Sequence, residues 1–116
     1  MEPDIFNTID LHDATPELLL QLKLQIEKDL GLTGFQYAFE GAPVDLPSLV
    51  PELQEIIDKL KSNNSGDLMK IVYRVDLTEK QYKKVSAMPG EWAENLAKAI
   101  VLREFQKVVI RKRYKS

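Results

Sequence analysis

Apolar positions recur along much of this chain at intervals of three and four, the period of helices that bury one face. In ATPELLLQLKLQIEKDLG, Leu19, Leu22, Ile26 and Leu30 keep that interval, and Leu18, Leu20 and Leu24 broaden the stripe. Thr15 is suited to cap the first free backbone N–H groups, Pro16 fits a position that has no use for an N–H, and Glu17 meets the positive end of the helix dipole. Gly31 marks the expected stop. PSLVPELQEIIDKLKSNNSG repeats the scheme, with Ser48 as cap, Pro51 in the first turn, and Leu49, Leu53, Ile56, Ile57 and Leu60 on one face. Acids lead this helix and lysines trail it, and SNNSG predicts a tight reversal rather than a linker.

Two stretches depart from that period. Between Leu32 and Leu46, Phe35, Tyr37 and Phe39 alternate with Gln36 and Ala38, and Gly34, Gly41 and Pro43 punctuate the run. A strand needs a neighbour to pair with, and no other stretch supplies a clear one. The expectation is therefore a structured loop whose aromatics plug the core, with an exposed aromatic docking site as the rival reading. DLMKIVYRVDL fits either period: Met69, Ile71, Tyr73 and Val75 alternate, while Leu68, Ile71, Val72 and Val75 share a helical face. The start signal at Ser65 to Asp67 favours helix.

LTEKQYKKV carries a capping box, Thr78 reaching forward to residue 81 and Gln81 reaching back, with Leu77 set to staple onto Tyr82. Pro89 and Gly90 close that short helix, and EWAENLAKAIVLREFQKVVIRKRYKS runs on without Gly or Pro. Its apolar residues face two ways, Trp92, Leu96, Ala99 and Ile100 on one side and Ala97, Val101, Phe105 and Val108 on another. Neighbours on both sides would make it the central helix; a short strand at Val108, Val109 and Ile110 is the β-branched alternative. The prediction is an all-α fold, a compact bundle of about five helices with a structured aromatic loop after the first, forming a single domain over residues 1–116.

Composition adds limits. A chain of 116 residues, 44% hydrophobic and 29% charged, supports one core and is not the composition of a disordered protein. The absence of Cys removes disulfides, thiolate metal sites and cysteine nucleophiles. MEPDIFNTIDLHD is acidic and unlike a signal peptide, and no apolar run approaches the length that crosses a bilayer. A soluble cytoplasmic protein with no membrane contact is expected.

Charge changes the picture more. Residues 1–58 hold twelve acids and two lysines, net −10, whereas residues 59–116 hold fourteen Lys or Arg and six acids, net +8. Either the halves pack together and neutralise each other, or each shows its own sign to a partner. The excess is densest in REFQKVVIRKRYKS, where Arg103, Lys107, Arg111, Lys112, Arg113 and Lys115 face a single acid, Glu104. Cations in a last turn complement the helix dipole, but that effect fades within about one turn and leaves Arg103 and Lys107 unexplained. These six residues are the candidate partner-binding set.

Catalytic patterns are missing. His12 stands between Asp10 and Asp13, but it is the only histidine, and a metal or triad reading lacks its other members. The five glycines are too scattered for a phosphate loop. No catalytic residue, cofactor or metal site is expected, and acids spread over amphipathic helices read as a solvated face.

IVYRVDLTEKQYKKV followed by LAKAIVLREFQKVVIRKRY resembles the C-terminal half of a group of small bacterial helical proteins of uncharacterised function; the likeness spans roughly residues 67–115 and implies a fold without an activity. Val72, Tyr73 and Arg74 are also similar to the Leu-Tyr-Arg motif of small mitochondrial helical assembly factors, with Val in the first position and the motif in mid-chain. No residue role is carried over from either. The functional expectation is a small adaptor or regulatory protein that docks to another protein or to itself through its charge-segregated surface. A sequence-tolerant nucleic-acid binder using the basic C-terminal helix is the alternative.

Overall fold

The computed structural model describes residues 15–32, 47–63 and 65–115. The expected aromatic loop and His12 lie outside them. The described residues form five α-helices and no strand: α1 (Pro16–Leu32), α2 (Val50–Asn63), α3 (Ser65–Arg74), α4 (Glu79–Ala87) and α5 (Trp92–Lys115).

Local chemistry sets most of the helix ends. Thr15 caps α1 as expected, its Oγ1 accepting from the Leu18 N–H at 3.2 Å. Gly31 does not end α1, which continues to Leu32. Before α2, residues Pro47–Leu49 make one 3-10 turn, so that Pro51 falls in the first α-turn, where no N–H is needed. Helix α2 extends to Asn63 and α3 begins at Ser65, so most of the SNNSG run is helical. At α4 the capping box forms in full: Thr78 Oγ1 accepts from the Gln81 N–H and Gln81 Oε1 accepts from the Thr78 N–H, both at 3.0 Å.

The ambiguous DLMKIVYRV stretch is helical because its period-3.6 face finds a core. Leu68, Ile71, Val72 and Val75 are buried, whereas Met69 and Tyr73, which an alternating strand would have buried with Ile71, point outward. The helix ends in a Schellman motif, with Leu77 N–H bonding Val72 C=O at 3.3 Å and Asp76 N–H bonding Tyr73 C=O at 3.1 Å. Glycine usually holds the left-handed position of this motif; here Asp76 does, at φ 64°.

The α5 helix is the centre of the packing, lying against α1, α2 and α4, and it stays helical through Val108, Val109 and Ile110. Its Leu96, Ile100 and Phe105 meet Leu22 and Ile26 of α1 and Leu53 and Ile57 of α2 in one core. Each such side chain contributes about 1.5–3 kcal/mol by leaving water. Burial on more than one side explains why α5 shows no single apolar stripe. No described helix is long and apolar enough to cross a membrane.

Candidate functional site

Among the described residues, four charged or amide side chains are buried in this core: Gln25, Asp29, Asn95 and Glu104. Asn95 is accounted for locally, its Nδ2 donating to the Pro89 carbonyl at 3.1 Å and so holding the Pro89–Gly90 corner that leads into α5. The other three gather where α1, the end of α3 and α5 meet.

Asp29, 4% exposed, is built to be an anion. Gln25 Nε2, one turn earlier on α1, donates to its Oδ2 at 3.1 Å. Lys107 Nζ lies 3.6 Å from Oδ2, and Arg74 Nε lies 3.7 Å from Oδ1. Burial pushes the Asp29 carboxyl up, but hydrogen bonds from Glu104 and Gln25 and the charges of Lys107 and Arg74 outweigh it and hold the group below its ordinary range.

Glu104 is fully buried and differently provided. Lys107 Nζ is 2.9 Å from its Oε1, close enough for charge attraction, yet neither carboxyl oxygen accepts a well-formed hydrogen bond. Burial first, then the hydrogen bond to Asp29 and repulsion from its charge, push this carboxyl up to about 9, with Lys107 pulling the other way. Against the cost of burial, Lys107 is held above its ordinary range by Glu104 first and then by Asp29 and Asp76, the last 3.4 Å from Nζ.

Lys107 also ties the helices together. Its ammonium donates to the Arg74 carbonyl at 3.3 Å, and Arg103 Nε donates to the Asp76 carbonyl at 3.4 Å. Two cations of α5 thus cap the carbonyl end of α3, where the dipole is negative. Arg103 Nη1 also donates to Gln106 at 2.9 Å.

The six basic residues singled out by the sequence consequently do different work. Lys107 is 17% exposed at its side chain and is committed to the internal cluster, and half-buried Arg103 is committed to the α3 exit turn. Arg111 is exposed, as is its neighbour Ile110 at 42%. The helix backbone continues through Lys112, Arg113 and Lys115, whose side chains lie outside the described set. Here acid from the negative half of the chain, Asp29, meets Arg74 and Lys107 from the positive half, so part of the charge segregation is cancelled inside the fold.

Sequence reasoning missed Asp29 and Glu104. The available signal was position: Gln25 and Asp29 continue the stripe of Leu18 and Leu22, and Glu104 falls between Val101 and Val108 on a buried face. Behind the cluster a shallow, open hollow of about 350 Å³ is lined by Leu32, Lys70, Tyr73 and Arg74. Among the described residues no three His, Cys, Asp or Glu side chains come together in a way that would hold a metal ion. The chemistry open to this cluster is holding a proton and joining helices. Comparison with protein-family models, curated proteins and solved structures finds no match for this chain.

Proposed function

We propose that this is a non-catalytic adaptor or regulatory protein that docks an acidic protein surface with the basic end of α5. The observation that carries the reading is the change of role along that helix: Arg103 and Lys107 bind within the fold, and one turn on, Ile110 and Arg111 stand exposed side by side. An apolar side chain next to a cation, followed in sequence by Lys112, Arg113 and Lys115, combines the two ingredients of a docking surface, steering by charge and burial on contact.

The test replaces Arg111, Lys112 and Arg113 with Ser and runs variant and parent side by side in affinity purification at two salt concentrations, with anisotropy titrations on DNA and RNA. A protein companion retained by the parent, lost by the variant and weakened by salt is the expected result. A companion held equally by both overturns it, as does low-salt nucleic-acid binding that the substitutions abolish.

A further inference from the structure

Glu104 raises a question of protons. As an ionised carboxylate it would be fully buried with Oε2 lacking any donor and Oε1 facing only the Lys107 ammonium at 2.9 Å, out of line for a hydrogen bond. Asp29 beside it has the opposite endowment, a donor in Gln25 and two cations in Lys107 and Arg74. One carboxyl supplied as an anion, next to a fully buried one whose only facing donor, Lys107, is shared with Asp29 and Asp76, is the arrangement of an acid donating its hydrogen to a carboxylate.

We propose that Asp29 and Glu104 share one proton, carried on Glu104, and that this proton is the latch that closes α1 and the α3 exit turn onto α5 beneath the basic helix end. The groups facing the pair are Gln25 from α1, Arg74 from α3, Asp76 from the turn after it and Lys107 from α5. With the proton in place, Asp29 and Asp76 balance Lys107 and Arg74. Without it a third anion sits inside the interface, faced only by Lys107, which Asp29 and Asp76 already share.

The sign of the pH dependence follows. The unfolded chain gives up this proton in the ordinary carboxylate range, near 4.5, whereas the folded chain keeps it to about 9. Between those values the folded state holds one more proton, so the folding constant falls about tenfold per pH unit as pH rises. Asp29, held low, changes stability only in the acid range below its ordinary value of 3.8. Lys107, held high, loses its contribution only as pH passes upward from its ordinary value of 10.5. Neither produces a slope between pH 5.5 and 8.5.

The experiment is urea unfolding of the full chain from pH 5.5 to 8.5, with carbon-13 NMR of the side-chain carboxyls. The parent should lose about tenfold in folding constant per unit. Glu104→Gln, which keeps the shape and a donor for Asp29, should be nearly flat. The Glu104 carboxyl carbon should keep its protonated shift through neutral pH, and in Asp29→Asn it should ionise at lower pH, because the neighbouring charge is gone. A parent profile as flat as that of Glu104→Gln, or a Glu104 carbon already ionised at pH 7, overturns the proposal. Should Glu104→Gln fail to fold, the carbon shift of the parent decides alone.

Discussion

Around Trp92, at the start of α5, the helix is held from outside by aromatic contacts, while around Glu104, about three turns further on, it is held from within by charge. Trp92 meets Tyr82 edge to face at 6.2 Å, carries the Lys61 ammonium 5.0 Å over its ring, and donates its Nε1 hydrogen to Ser86 at 3.0 Å. These contacts are half-exposed and individually small. Such a surface tolerates a slight slide of one helix on another. The Glu104 end does not, because Lys107 must meet Asp29, Asp76 and the Arg74 carbonyl at once. The contrast teaches that apolar burial supplies most of the attraction along α5, and the buried charges fix its register against α1 and α3.

Breaking the charged end should have the largest effect. Lys107→Ala leaves Asp29 buried without its nearest cation, and urea unfolding should show a loss of about 3–5 kcal/mol. Breaking the aromatic end should cost less: Trp92→Ala removes a half-buried ring, and the same measurement should show a loss of about 2 kcal/mol, below the range for fully buried aromatics. The smallest change sharpens the contrast at its edge. Asp76 holds a left-handed backbone, and its carboxylate, 65% exposed, makes a weak ion pair with Lys107. Asp76→Gly relieves the backbone and loses the pair, so its stability should stay within about 1 kcal/mol of the parent; Asp76→Ala loses the pair without relief and should be the less stable of the two.

What could be read in the sequence was what acts over one or two turns. Thr15, Thr78 and Gln81 announce their caps because partner and cap lie three residues apart. The stripe of Leu19, Leu22, Ile26 and Leu30 in α1 and that of α2 announce their buried faces for the same reason, whereas Leu20 and Leu24, which broaden the α1 stripe in sequence, stand exposed; the two-sided α5 announces a central place. Composition records the charge of Lys107 without its direction, so nothing in the basic run marks this residue as turned inward. Its partners, Asp29 and Asp76, come from α1 and the α3 exit turn and become neighbours only when the helices pack. Glu104 stands in sequence as the lone acid of a basic run, and nothing local says that it faces a second carboxyl.

The capping of α3 by Arg103 and Lys107 has a consequence for motion. A ten-residue helix is too short to persist in water unaided. Here its exposed carbonyls close on side chains that belong to the longest helix, so α3 cannot fray from its C-terminal end without first unseating those two cations. The pair should therefore open as one cooperative unit, with amide exchange in α3 following that of α5.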